Sequence, residues 1–365
     1  MENILPVKEE KKSFFEKFPF FKNYYFLGGL ILIILVILIF FLLSFSNPKE
    51  VIPFQKCGDG TFEGYCSIKK PFFCEQEVLV EKISECGCPT SFKFSNGNCI
   101  SKYGSSSNES FFSYFLSGEK KEISIKIFPE VVDYLLNLTR TKIYYNGEVP
   151  RRDDFKISKI EEPVQEDYLS PLVTEIQNLA PNSKDLQAKI AVSLVQNIIY
   201  NESEFVVVPG FNVKIRLSRY PYQVLEEAQG SCEGKSELLA FLLKEMGFGV
   251  TLFYFPEENH EAVGIKCPLE YSYLGTGYCF VETTMPSPIS FSEGKYLGAV
   301  GQSKLVGVSE FVLISDGISL SGDLEDYADS ESLVKLTNKI DQSGSLNPVD
   351  KLKMDSLREK YNLKF

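Results

Sequence analysis

The order of patterned segments predicts an α+β fold, with helices packed on one side of a largely antiparallel sheet. Two observations carry this. Helix-period segments come first and three β-rich runs come after them, a segregation that an alternating parallel sheet would not show. Hydrophobic residues make up 44% and charged residues 24% of the 365, which is ordinary for a packed domain and unlike a disordered or fibrous chain. Acidic residues outnumber basic ones by 49 to 38. A chain of that balance lacks the basic footprint that tracks phosphates, so nucleic acid is not an expected partner.

Taken in order, the first element is Tyr24–Phe45, an uncharged apolar run that at helical rise spans about the 30 Å of a bilayer core. It reads as a transmembrane helix over 24–46. A cleavable signal would be shorter and would end at small residues, whereas this run ends in Ser44-Phe45-Ser46-Asn47-Pro48. Lys8, Lys11, Lys12, Lys17 and Lys22 precede it, and only Lys49 and Lys56 come closely after. The positive-inside rule then keeps residues 1–23 cytoplasmic and puts the remainder outside, as a single-pass cell-membrane protein touching the bilayer through 24–46.

Outside the reducing cytoplasm, cysteines pair. Cys57, Cys66, Cys74, Cys86, Cys88 and Cys99 fall among Gly, Pro, Ser and Asn in residues 57–102, which reads as a small module held by three disulfides of unreadable connectivity. A metal knuckle needs paired CxxC spacing or a nearby histidine, and neither is present. A Ser/Asn-rich linker, Gly104–Ser110, leads into a domain over 111–322. There Ser124–Phe128 alternates like a strand, and Pro129–Leu138 spaces Val132, Leu135 and Leu136 on one helical face. Asn182 or Ser183 caps a helix whose Leu186, Ile190, Leu194 and Ile198 recur at i, i+4. A second helix starts near Cys232, carries Leu238, Leu239, Leu242 and Leu243, and stops at Gly247. The β-rich runs are Val250–Phe255, Glu261–Lys266 and Tyr278–Thr284. Residues 323–365 form a polar tail ending in the charged segment Asp350–Tyr361.

No P-loop, HExxH or EF-hand loop occurs, so no cofactor or metal is expected. Asn108, Asn137 and Asn201 head N-x-S/T sequons that an exterior domain could glycosylate. Asp153-Asp154 and Glu161-Glu162 read as solvated surface rather than catalytic dyads.

Six of nine cysteines belong to the module, and Cys267 and Cys279 flank a loop, which leaves Cys232 over. It stands at a turn entering an apolar helix, where unpaired N–H groups and the helix dipole attract negative charge. A buried small hydrophobe is the commonest fate of a free cysteine, and position alone leaves both readings open. The chain's only histidine, His260, weighs toward chemistry, because a cysteine nucleophile needs a base and this is the one imidazole on offer. His260 heads a strand at what reads as the sheet's rim. Glu282 is a carboxylate on an otherwise apolar strand, costly to bury unless paired, and His260 on a neighbouring strand supplies the partner. A conflict arises from this pairing. If His260 lies directly across from Glu282, Cys267 faces residue 275 and Cys279 sits about 13 Å further along, whereas a disulfide spans at most about 7 Å between Cα atoms. The intervening loop must curl back, or the pair is not bridged; the oxidising compartment favours the bridge.

The stretches RYPYQVL, GSCEGKSELLAFLLKEMGFGV, NHEAVGIKCP and GYCFVETT resemble, in order and spacing, the transglutaminase-like branch of the papain-like cysteine enzymes, most closely its archaeal membrane-anchored members. The pattern is Gly-x-Cys opening a helix, His heading one strand and an acid on the next. Many relatives carry Asp where Ser231, Gly234 and Glu282 stand here. The resemblance implies a Cys232–His260–Glu282 triad, a thioester intermediate and a protein or peptide amide substrate. An oxyanion would be held by the Cys232 backbone N–H and a side chain such as Tyr222 or Gln223, although both also read as ordinary packing before a helix. Some members of the superfamily are inactive, so a surface-binding protein that keeps the fold is the alternative expectation.

Overall fold

The computed structural model describes residues 19–45, 55–138, 145, 147–148, 151–202, 205–208, 213–216, 218–291, 295–298, 301–305 and 310–364. It divides into two units, 1–54 and 55–365. In the first, α1 (Pro19–Phe45) covers the apolar run over 27 residues. Its side chains are described over 27–41, fifteen residues, all exposed. Among the described residues no helix is long and apolar enough to cross a membrane, so the span expected over 24–46 is not supported by the structure. The lysine flank at 8, 11, 12 and 17 lies outside the described residues.

The second unit begins with two small hairpins, β1 (Phe72–Glu75) with β2 (Val78–Glu81) and β3 (Phe92–Ser95) with β4 (Asn98–Ser101), joined by the short helix α2 (Ile83–Cys86). Disulfides Cys57–Cys74, Cys66–Cys86 and Cys88–Cys99 hold them. Next come the long hairpin β5 (Asn108–Leu116) and β6 (Glu119–Ile127) and the helices α3 (Pro129–Leu136), α4 (Arg152–Ile160), α5 (Pro163–Leu179) and α6 (Lys184–Asn197). The linker read at Gly104–Ser110 therefore already enters β5. Short pieces come after them: β7 (Ile199–Tyr200), the hairpin β8 (Phe205–Val208) and β9 (Val213–Arg216), α7 (Pro221–Glu226) and β10 (Gln229–Gly230).

The module does not stand apart. Asn178 of α5 reads the Leu79 backbone with both ends of its amide, at 2.8 and 2.9 Å, and Asp167 accepts from Thr90 and Ser91. Backbones meet closely there: a Cβ at Gly58 would come within 2.3 Å of the Gln177 carbonyl oxygen.

The remaining elements build the sheet. α8 (Cys232–Glu245) packs on β11 (Val250–Phe255) and β12 (His260–Lys266); β13 (Tyr278–Val281), the hairpin β14 (Lys295–Gly298) and β15 (Gly301–Lys304), and β16 (Glu310–Ser315) complete the series. The sheet order is β13-β12-β11-β16, antiparallel throughout, which is the mixed helix-and-sheet architecture. α8 starts where it does because the Ser231 hydroxyl caps it, accepting from Gly234 N–H at 3.4 Å, and it ends at Gly247, whose φ of 90° a side chain would resist. Its Leu238, Leu239, Leu242 and Leu243 are fully buried. At ~1.5–3 kcal/mol per buried aliphatic side chain, that face fixes the helix on the sheet. The tail is helical, α9 (Glu325–Ser343) and α10 (Pro348–Tyr361), and buries Leu333, Leu336, Met354 and Leu357 with Phe291. Asn108, Asn137 and Asn201 are exposed.

Candidate active site

Three elements deliver three side chains. Cys232 is the first residue of α8, His260 the first of β12, and Glu282 the residue after β13. Cys232 is the one described cysteine outside a disulfide. The turn before His260 closes through Asn259, which takes φ 46°. His260 Nε2 lies 2.9 Å from Glu282 Oε2. The Cys232 thiol lies close enough to the ring to raise its proton affinity. With Nε2 engaged by the carboxylate, Nδ1 is the atom left for the sulfur.

The register accounts for both contacts. Val263 pairs with Val281 and Ile265 with Cys279. Continued, this pairing sets His260 opposite Thr284 and Glu282 opposite Ala262, so histidine and glutamate are diagonal neighbours on one face, not a direct pair. The two-residue offset places Cys267 opposite Gly277, with Cys267 N–H donating to the Gly277 carbonyl at 3.0 Å. Cys279 is then close enough to bridge, at a Cα separation of 5.7 Å. The conflict raised by a direct pairing disappears, and Cys232 remains outside every disulfide.

Glu282 is held rigidly. Its Oε1 accepts from Thr283 N–H at 2.9 Å, Thr284 N–H at 2.7 Å and the Thr284 hydroxyl at 2.6 Å. Gln196 of α6 donates to the Glu282 carbonyl at 2.8 Å and the Ser287 carbonyl at 3.0 Å, pinning the segment beyond the acid. Burial works against charge on both partners, and mutual attraction outweighs it. His260 is pushed down by burial but up by the Glu282 carboxylate and by its bonds to Cys232 and Glu282, reaching about 10. Glu282, raised by burial, is held below its ordinary value by the imidazolium and the Thr284 donors. At neutral pH the pair is an imidazolium and a carboxylate. His260 is 1% exposed and Cys232 6%, so the ring lies inside, not at the rim the sequence suggests.

Tyr222 and Gln223, the oxyanion candidates of the sequence, make the following contacts. The Tyr222 hydroxyl sits in the core and accepts the Phe128 N–H at 2.7 Å. Gln223 caps α7, its carbonyl accepting from Tyr220 N–H and its amide donating to Glu227 at 2.6 Å. At Gly234, three residues after Ser231, a Cβ would stand 3.1 Å from Val224 Cγ2, so a larger residue would require Val224 to shift.

Sequence reasoning missed the charges around the site. Lys235 is fully buried, and its ammonium donates to the backbone carbonyls of Ile198 at 2.7 Å and Gln196 at 3.3 Å. Burial lowers it to about 7, with the Glu282 charge opposing. α4 supplies Arg152, Lys156 and Lys159 to three acids near Cys232 and His260. Lys156 pairs with Glu233, with Glu237 at 2.7 Å and with Glu261 at 3.1 Å. Lys159 meets Glu237 at 2.5 Å, and Arg152 meets Glu261 at 3.1 Å while lying over the Tyr254 ring. Glu233 is next in the chain after Cys232, and Glu261 after His260, so the cluster ties the start of α8 to the start of β12. Despite burial, the lysines take Glu233 down to about 2. Among the described residues no group of three or more His, Cys, Asp or Glu is arranged to hold a metal ion.

No family model matches the chain, and no curated protein does. Among solved structures, calcium-bound LapG of Legionella pneumophila is similar at 14% identity, over 49% of this chain and 98% of that one, with a TM-score of 0.24. A Parabacteroides distasonis protein described provisionally as a protease is similar at 14% identity, over 58% of this chain and 41% of that one, with a TM-score of 0.26. At such scores neither likeness carries weight beyond itself, and neither bears on the narrower resemblance to archaeal membrane-anchored proteins.

Proposed function

We propose that this protein is a transglutaminase-like cysteine enzyme acting on protein or peptide amides, with Cys232 as nucleophile, His260 as acid and base, and Glu282 holding the ring. One observation supports this above the rest: the chain's single imidazole bridges its single unpaired described cysteine and a buried carboxylate. In the reaction the sulfur attacks the amide carbonyl carbon, a C–S bond forms, and His260 hands its proton to the departing amine as the C–N bond breaks. Water, deprotonated by the ring, then opens the thioester to an acid; an amine in its place would give a new amide. The Cys232 backbone N–H, at the first residue of α8, is the proposed donor to the oxyanion. The uncharged run Tyr24–Phe45 supports a bilayer anchor over 24–46, with the N-terminus cytoplasmic and the remaining domain outside.

A second reading, a binding protein that keeps the fold, draws on the low exposure of Cys232 and His260. Labelling with iodoacetamide across pH 5–10 separates the two. The enzyme reading expects rapid alkylation of Cys232 from below pH 7, falling at least ~10-fold in His260→Ala and vanishing in Cys232→Ser. Slow labelling that ignores the His260 substitution would leave only the binding reading.

A further inference from the structure

The β5–β6 hairpin carries an unoccupied strand edge, and its hydrogen-bond parity can be fixed. Phe115, paired with Lys120, donates its N–H away from the ladder to Ser193 Oγ at 2.8 Å. Phe128, just past β6, likewise donates outward to the Tyr222 hydroxyl at 2.7 Å. In an antiparallel ladder, residues alternate between pairs bonded across it and pairs whose N–H and C=O point away. Counting in twos from Phe115–Lys120 along the register, Phe111–Ser124 and Glu109–Lys126 are of the outward kind. Ser124 and Lys126 thus present two N–H and two C=O groups on the side away from β5, and among the described residues β6 pairs with no other strand.

That side is a cavity of about 470 Å3, within the range of binding clefts. Ser124, Ile125 and Lys126 line it consecutively, the mark of an edge, since a sheet face would show every second residue. The opposite wall is the disulfide module, through Leu79 and Phe92, and the floor is α5, through Tyr168 and Thr174. Leu79 cannot close the gap as a strand, because Asn178 already takes its N–H and C=O. The Thr174 hydroxyl is buried in this floor and has no hydrogen-bond partner among the described residues.

We propose that this groove binds an extended polypeptide segment of a partner protein as a third strand beside β6, seating an apolar side chain over Phe92, Phe128 and Tyr168. Outward donors and acceptors repeating every second residue match a β-strand and no small anion or sugar. The aromatic rings, with Phe92 and Tyr168 4.8 Å apart between centroids, set the preference for an apolar centre.

The probes are fluorescein-labelled pentapeptides of alternating Thr and Val with Phe, Leu, Tyr, Asp or Lys at the centre, titrated by fluorescence polarisation against the full chain in detergent. The apolar-centred members should bind below ~1 mM and tighter than the Asp and Lys members. N-methylating one alternating set of peptide amides should weaken binding at least ~10-fold, while methylating the other set leaves it within about twofold, because one edge of the added strand faces β6. Lys126→Pro removes an outward N–H without touching the β5 ladder and should weaken binding as the first methylated set does. No binding by any member at ~1 mM, or equal binding by both methylated sets, overturns the proposal. The methylated pair keeps the test on the unmodified protein should the proline variant fail to fold.

Discussion

Replacing Glu282 by glutamine keeps shape and removes charge, and the hydrogen bonds around the carboxylate dictate how the new amide must sit. The three donors on Oε1, two N–H groups and the Thr284 hydroxyl, demand an oxygen there. The amide nitrogen must then face His260 Nε2, which has to present its lone pair, so the ring gives up its Nε2 proton and is left neutral, with its one proton on Nδ1 beside the sulfur. That tautomer cannot accept a proton from Cys232, and turnover should fall ~10^3–10^4-fold. The charge effect is separately measurable. His260 stands at about 10 against an ordinary 6.5, and losing that elevation at 1.36 kcal/mol per pKa unit removes about 5 kcal/mol of imidazolium stabilisation. The chain has one histidine, so carbon-13 labelling of histidine gives one ring resonance to track. In the wild type it should stay charged from pH 6 to 9 and titrate near 10; in Glu282→Gln the midpoint should fall to 6.5 or below. A wild-type ring that titrates between 6 and 7 would refute the reasoning, as would a midpoint that ignores the substitution.

Lys156→Met leaves Glu237 and Glu261 buried with less compensation, and should lower unfolding free energy by ~3–5 kcal/mol in urea titration, with Glu237→Gln in the same chain restoring part of it. Cys267→Ser with Cys279→Ser opens a link across a sequence separation of 12 between the end of β12 and β13, at a loss of ~2–4 kcal/mol by the same measurement, and leaves Cys232 as the only thiol to label.

Elements whose cores are apolar are legible in the sequence, and those that bury polarity are not. α6 and α8 announce themselves because Ser183 and Ser231 cap them and leucine or isoleucine recurs at helical spacing. α4 escapes, since its inward face carries Lys156 and Lys159, which read as solvent-facing until the acids of α8 and β12 meet them. α5 escapes for a related reason, with Pro171 inside it and Gln165, Thr174 and Gln177 buried. Cys232 and His260 stand out because of scarcity, one odd cysteine and one histidine. The register between β12 and β13 does not, because two residues either way preserve the inward pattern and only the loop's path decides. The partner of Tyr222 is not legible for lack of long-range information: the N–H that its hydroxyl accepts belongs to Phe128, 94 residues earlier.

The buried lysine beside the triad makes a prediction that neither residue would make alone. Lys235 falls to about 7 from 10.5 on folding, and His260 rises to about 10 from 6.5. Between pH 7 and 10 the unfolded lysine holds a proton that the folded one has released, so its contribution raises stability with pH. Over the same window the folded histidine keeps a proton that the unfolded one has lost, and its contribution, complete below 6.5, drains away as pH climbs through 10. Each amounts to about 5 kcal/mol at 1.36 kcal/mol per pKa unit, with opposite sign. Glu282 adds no slope there, because its carboxyl is held below the ordinary carboxylate range. The urea midpoint of the wild type should therefore be nearly level from pH 7 to 10. Lys235→Met removes the rising arm and leaves the Ile198 and Gln196 carbonyls without their donor, so it should start ~1–3 kcal/mol weaker at pH 7, then lose ~3–4 kcal/mol more by pH 10 as the histidine slope is unmasked. A variant as level as the wild type would mean that the two groups do not oppose each other, and that Glu282 does not hold a charged ring at neutral pH.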